Sequence, residues 1–334
     1  MNKKFLVVLG LFTLVVIVTG IILTPKNQNT PPPVNTGPTQ SAPREILPLP
    51  TPILKNNQPQ VSFVFSAGTK PAPNTLPVYS TTPLNITQQQ NAIAKNLGFS
   101  GAPTTPPAPP NALFWNNAEG YVTISSAPPT VSFYRNSAQT GAPSQKDAAG
   151  AATAFVSKIG ITSGAFTLSP GSVSYNKISG SSYLPAASAS SADMAAMSLI
   201  YNLNNLPLYN ASGLPFNCTF QIYDGGVVKS AFVQFPPVLG TSQQKEIIPA
   251  KQAAQLLAEN KGSLASIVSS TPSESSITNI SFSAVNVTNY DLGYMYDAVQ
   301  KTIFPVYVFR GTVIQGAAES AGATVFYFTP ATYK

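Results

Sequence analysis

The chain contains no histidine and a single cysteine, Cys218. Without histidine it lacks the commonest general base and the commonest metal ligand. One cysteine excludes an intrachain disulfide and a cysteine-built zinc site. Charge is scarce too: Asp, Glu, Lys and Arg make up 9% of 334 residues, against about 25% in ordinary soluble domains. Ser, Thr, Asn and Gln must therefore supply the polar surface, a composition that suits an extracytoplasmic protein. The net charge of +7 is scattered, and no stretch places three basic residues close together. A nucleic-acid face needs a clustered basic stripe, so no nucleic acid is expected as a partner.

One segment is conspicuous. Phe5 to Leu23 carries no charge, with Lys3 and Lys4 before it and Lys26 after it. At 1.5 Å per residue a helix here is about 28 Å long, close to the roughly 30 Å core of a bilayer. It exceeds the apolar region of a secretory signal, and Thr24-Pro25-Lys26 is a poor cleavage site. Residues 1–24 therefore read as an uncleaved transmembrane anchor. A cleaved signal and a buried core helix are the other readings. Lys3 and Lys4 favour a cytoplasmic N-terminus, which places the remainder outside the cell membrane.

Residues 25–59 contain ten prolines and little apolar periodicity, as expected of a Pro-rich linker. Beyond it, helix and strand signals alternate. Helices are expected at Thr87–Leu97, Ser144–Ile159 and Pro249–Glu259. Ser144 is a candidate N-cap, Gly160 a stop, and Pro249 a first-turn residue. Strands are expected at Val61–Phe65, Leu113–Trp115, Tyr121–Ser125, Val131–Arg135, Phe166–Leu168, Ser172–Asn176, Met197–Leu203 and Phe216–Tyr223. Asp224-Gly225-Gly226 signals a hairpin into Val227–Phe235. The end reads as strands Ile277–Val287, Leu292–Met295, Phe304–Phe309 and Thr324–Phe328. Leu76-Pro77-Val78-Tyr79, Leu206-Pro207-Leu208-Tyr209 and Phe304-Pro305-Val306-Tyr307 recur, with each proline expected at a strand start or edge. The pattern predicts an α+β fold: an N-terminal transmembrane helix, a Pro-rich linker, then repeated helix-plus-antiparallel-sheet modules.

Ile200 to Tyr209, Ile222-Tyr223-Asp224-Gly225-Gly226-Val227-Val228, Ile248-Pro249-Ala250-Lys251-Gln252-Ala253-Ala254, Leu292-Gly293-Tyr294 and Phe304 to Gly311 carry a family resemblance. Over about residues 144–330 the chain resembles the α+β modules of the YycH/YycI group of membrane-anchored two-component regulators, which are related to PepSY-like domains. The resemblance implies a helix packed on an antiparallel sheet. It also implies a non-catalytic role in modulating an envelope partner such as a sensor kinase. The expected division is anchor 1–24, linker 25–59, a first α+β module 60–143, and YycH/YycI-like modules 144–334.

No residue is assigned to catalysis, to a cofactor or to a metal. Ser174/Lys177 and Ser242/Lys245 fit S-x-x-K, yet a serine–lysine pair needs one helical turn, and the first lies in a strand pattern and the second in a polar loop. Asp291 and Asp297 are the nearest approach to a carboxylate pair for a histidine-free hydrolase. Asn85, Asn210, Asn217, Asn279 and Asn286 head glycosylation sequons, most of them expected by chance in so Asn-, Ser- and Thr-rich a chain. Cys218 reads as a buried small hydrophobe or, alternatively, as an intermolecular bridge. Tyr290, Tyr294, Tyr296, Phe304, Tyr307 and Phe309 read first as core and cross-strand pairs. The functional alternative is a peptide-holding groove, for which the expected binding residues are Tyr294, Tyr296, Tyr307 and Phe309, with Arg310, otherwise a surface arginine, holding a carboxylate. The expected function is non-catalytic regulation or scaffolding through protein binding, with a peptide- or cell-wall-glycan-binding module as the alternative.

Overall fold

From Ser62 the chain alternates strands with three helices among the described residues. The first part contains β1 (Ser62–Phe65), β2 (Thr75–Thr82), α1 (Gln90–Asn96), β3 (Ala112–Asn117), β4 (Gly120–Ser126) and β5 (Pro129–Arg135). Then come α2 (Gln145–Ile159), β6 (Phe166–Ser179), β7 (Ser182–Ala186), β8 (Met194–Leu203), β9 (Leu206–Asn210), β10 (Asn217–Tyr223) and β11 (Val227–Gln234). The last part holds β12 (Val238–Glu246), α3 (Ala250–Ala258), β13 (Ser263–Val268), β14 (Phe282–Asp297), β15 (Thr302–Gly316) and β16 (Thr324–Pro330). This computed structural model describes residues 45–333 except for short gaps, the longest at 269–279. The expected anchor and most of the expected linker lie outside the described residues, as does the sequon at Asn279. Among the described residues no helix is long and apolar enough to cross a membrane. Residues 44–334 form one compact unit.

The local signals were sound where chemistry is local. Ser144 caps α2: its Oγ accepts from the Asp147 N–H at 3.3 Å, and Gly160 closes the helix at φ 74°. Ala148, Ala152, Phe155 and Ile159 of that helix are buried on one face. Asp224-Gly225-Gly226 turns β10 into β11, which pair antiparallel. The two strands expected at Phe166–Leu168 and Ser172–Asn176 are one strand, β6. A register shift between Pro170 and Val173 absorbs the Pro-Gly step.

The expected fold class does not hold. In place of repeated α+β modules there is one mixed sheet network, with three helices packed on it. Its path runs β12-β2-β15-β14-β9-β8-β10-β11-β5-β4-β3, with β1, β6, β7, β13 and β16 branching off. Strands β1 and β9 both pair parallel with β14, so the sheet is not purely antiparallel. Strands β1 and β2 pair with strands from the far end of the chain, β14, β12 and β15. The physical reason is the length of β14 and β15. They stay paired from Phe282↔Gly316 to Asp297↔Thr302 and recruit strands along both outer edges. Residues 288–291, expected to separate two strands, lie inside β14.

Strand β15 shows why such a centre forms. Ile303 to Phe309 is buried at every position, as in a strand covered on both faces. Alternation splits it: Phe304, Val306 and Val308 face a cluster with Met295 and Phe328, while Tyr307 and Phe309 face a cluster with Leu256 and Leu257 of α3. Pro305, expected at a start or an edge, is interior. It falls where pairing with β2 has ended, at Ile303, and pairing with β16 has yet to begin, at Val306. A third, larger cluster packs α1 and α2 against β3, β4, β5, β8, β10 and β11.

Strand β9 joins the two sheet regions. It pairs antiparallel with β8 through Leu203↔Leu206 and parallel with β14 through Tyr294↔Leu208. The intervening Asn204-Asn205 turn has φ of 51° and 62°, a conformation asparagine tolerates. Part of the segment expected as linker is docked. Ile46 bridges to Tyr333, and Asn56 exchanges two hydrogen bonds with the Phe282 backbone, at 2.7 and 3.2 Å.

Candidate functional site

A groove of about 440 Å³ opens beside β14 where β9 crosses between sheet regions. That volume is within the usual range for a ligand site. Strand β9 contributes Leu206, Pro207 and Tyr209; β14 contributes Tyr290, Asp291 and Leu292; β15 contributes Tyr307; and Pro71, Ala72 and Pro73 form the remaining wall. The position follows from register. Strand β1 pairs with β14 over Ala284–Val287 and β9 pairs with it over Tyr294–Tyr296. The groove lies along the interval between. Alternation sends Tyr290 and Leu292 to one face of β14 and Asp291 to the other, so the lining wraps the strand.

Its aromatic wall is fixed. The Tyr307 hydroxyl donates to the Ile248 carbonyl at 2.9 Å. Tyr209 packs edge-on against Phe328, with centroids 5.6 Å apart. Burial pushes the Tyr307 hydroxyl up to about 12. Burial, and then the charge of Asp291, pushes Tyr209 up to about 12 as well. Both rings therefore stay neutral across the physiological range. Asp291 is exposed, and its Oδ2 accepts from Asn289 Nδ2 at 3.1 Å. The close approach of β9 to β14 needs Gly293: a Cβ there would lie 2.6 Å from Tyr209 Cε2.

Of the five expected binding residues, Tyr307 borders this groove, but its side chain is 1% exposed and packs in the core behind the surface. Tyr294 is fully buried, with its hydroxyl accepting from Asn204 Nδ2 at 3.0 Å; the same Nδ2 reaches the Tyr79 hydroxyl at 3.0 Å. That network ties β2, the β8–β9 turn and β14 together. Tyr296 is half-buried, edge-on to Phe216. Phe309 is 1% exposed and packs on Tyr290 and Tyr307. Arg310 is exposed, with Cζ 5.9 Å from the Phe326 ring centre. It stands opposite Asn289, outside the groove lining. Sequence reasoning missed Tyr209, Leu206, Pro207 and Pro71–Pro73. The recurring tetrapeptide, Leu or Phe followed by Pro-x-Tyr, was the available signal, since Leu206, Pro207, Tyr209 and Tyr307 all come from it.

The reactive pairs considered in sequence do not converge. Ser174 and Lys177 lie on β6, and Ser242 and Lys245 on β12. Residues three apart on a strand project from opposite faces. Asp291 and Asp297 are six residues apart on one strand, roughly 20 Å. Asp297 is buried and caps the β14–β15 turn by accepting from the Val299 and Gln300 N–H groups. Among the described residues no three His, Cys, Asp or Glu side chains gather as metal ligands. Cys218 is fully buried, so it presents no surface for an intermolecular bridge; its thiol lies 3.6 Å from the Tyr201 hydroxyl, and burial pushes it up to about 11.

No family model and no curated protein matches the chain.

Proposed function

We propose that this chain is a single-pass membrane protein whose folded part faces outside the cytoplasm and acts without catalysis, by binding an extended peptide segment of an envelope protein in the groove beside β14. The observation that carries the reading is the lining. Exposed Pro71, Ala72 and Pro73 and half-buried Leu206, Pro207, Tyr209 and Leu292 form an apolar surface over the buried Tyr290 and Tyr307, with Asp291 as the charge of the lining. Such surfaces hold extended peptides, whose side chains bury apolar area while few polar groups need matching. A glycan-binding groove is the second reading. It is weaker because a sugar's hydroxyls need several donors and acceptors, and here Tyr307 already spends its hydroxyl on Ile248. The anchor and the orientation rest on the uncharged run and on Lys3 and Lys4. A regulatory role of the YycH/YycI kind is consistent with a tethered, partner-binding ectodomain.

The test uses the full chain in lipid nanodiscs against a mixed library of extended peptides and against purified wall polymer. Peptides are expected to bind with micromolar affinity, on the order of −8 kcal/mol, and Leu206→Asp is expected to abolish binding. Binding to wall polymer with none to peptides would overturn the reading.

A further inference from the structure

Strand β6 pairs with β8 as far as Asn176↔Met194 and then runs on with β7 alone. Every described residue from Lys177 to Pro185 is exposed, so the hairpin stands about 13 Å clear of the sheet with solvent on both faces. It nevertheless carries large apolar side chains: Ile178 is 38% exposed, and Tyr183 and Leu184 are each 52% exposed. Ile178 and Tyr183 are a cross-strand pair on one face, while Leu184, opposite Lys177, is on the other. Its base is pinned. Asp193 accepts from the Ile178 N–H at 2.8 Å and gives its own N–H to the Asn176 carbonyl at 2.9 Å. We propose that this hairpin dips into the interface of the bilayer that holds the anchor, with Ile178, Tyr183 and Leu184 at the boundary of headgroups and acyl chains; this rests on the anchor reading above.

Three observations carry it. The first is direction. Strand β9 runs parallel to β14, β8 antiparallel to β9, and β6 antiparallel to β8, so β6 and β14 run in the same sense. The hairpin tip and the β14–β15 turn therefore lie at the same end of the sheet network. The chain from the anchor joins at that end too. The Ala331 N–H donates to the Pro305 carbonyl, Tyr333 lies beyond it toward the turn, and Ile46 bridges to Tyr333. Residues 25–44 number 20, a reach of roughly 25 Å as a coil and about 60 Å as polyproline, so the bilayer lies within that span of this end. The second is the placing of apolar side chains on both faces. An interface of lipid surrounds an inserted hairpin, whereas a flat protein surface covers one face and leaves the other in water. Tyrosine is favoured at such interfaces. Strand β7 is also a poor template for a strand of another chain, because Pro185 has no N–H to give. The third is charge. No acidic residue occurs between Asp147 and Asp193, and the hairpin carries the exposed Lys177. A lysine there lays its stem along apolar surface and sends its ammonium to lipid phosphates.

The experiment places the full chain in nanodiscs of phosphatidylcholine and phosphatidylglycerol in equal parts, with and without a doxyl-labelled lipid that quenches nearby fluorophores. An environment-sensitive dye is attached through Ser182→Cys, at an exposed hairpin position, or through Ile314→Cys, exposed at the far end of β15. The native Cys218 is buried and does not compete. The dye at 182 should shift to the blue and lose fluorescence to the doxyl lipid, while the dye at 314 should do neither. Adding Tyr183→Asp and Leu184→Asp, both at exposed positions, should remove the quenching at 182 while the chain stays in the nanodisc. Equal quenching at both positions, or none at either, would overturn the proposal. Quenching at 182 that survives the two aspartates would overturn the assignment to these side chains. A chain that does not enter the nanodisc would overturn the anchor and this proposal with it. Peptide binding in the groove should be unchanged by the two aspartates, since neither position lines it.

Discussion

Tyr290 and Tyr307 sit diagonally across the β14–β15 pair with ring centres 6.0 Å apart and ring planes at 65°. Phe309 completes the group, 5.7 Å from Tyr290 and 6.3 Å from Tyr307. The first pair is edge-to-face and the two Phe309 pairs are tilted at 38°; aromatic pairs add about 0.5–1.5 kcal/mol each beyond their area. All three rings are buried in one core cluster, which fixes the floor beneath the groove before any ligand arrives.

Tyr307→Phe separates that support from the ring itself. The variant keeps the aromatic surface but removes the donor to the Ile248 carbonyl, at a cost of about 1–3 kcal/mol. Urea denaturation should show a lower midpoint with an unchanged slope, while peptide affinity changes by less than about twofold, or roughly 0.4 kcal/mol. A variant as stable as the parent would show that the hydroxyl is not buried against Ile248.

Gly293→Ala tests the junction. The added Cβ would meet Tyr209 Cε2 at 2.6 Å and the Pro207 carbonyl at 3.0 Å. Overpacking of this sort costs about 1–3 kcal/mol, and here it must also shift Tyr209. Both the thermal midpoint and peptide affinity should fall. A loss of stability with full affinity would remove Tyr209 from the site.

Cys218 should resist thiol reagents. It is fully buried, and its thiol is pushed from 9.0 up to about 11, so little thiolate is present at neutral pH. Labelling by a maleimide should track global unfolding in denaturant. Rapid labelling of the native chain would contradict the packing around β10.

Alkaline pH should destabilise the fold. Burial is the main cause that raises Tyr209, Tyr294 and Tyr307 from 10.0 to about 12. Each prefers its neutral form in the native state more than in the unfolded chain. The native state therefore holds more protons above about pH 9, and stability falls as pH rises. The contribution is complete below the unfolded values near 10 and is lost as pH climbs through about 12. A denaturation midpoint that stays level across that window would contradict the burial of these hydroxyls.

Short-range signals were legible in the sequence, and long-range pairing was not. Ser144 and Gly160 bounded α2, and Asp224-Gly225 placed a hairpin, because each acts within a few residues. Nothing local in Ser62–Phe65 or Thr75–Thr82 says that they lie beside β14 and β15, more than two hundred residues away. The mixed sheet follows from those distant pairings, so the repeated-module reading failed there. The groove was half legible. Its aromatic character and Tyr307 could be read from composition. Tyr294 and Phe309 could not be told from it, since alternation alone does not reveal that β15 is covered on both faces. Tyr209 and Pro71–Pro73 enter the site only through the crossing of β9 to β14.

Hydrogen exchange of the full chain, with and without a peptide selected from the extended-peptide library, tests the central claim most directly. Binding in the groove predicts new protection confined to residues 206–209 and 289–293 and to the amides around Tyr307. Protection on the β4–β5–β11 face, or none anywhere while the peptide is bound, would contradict it.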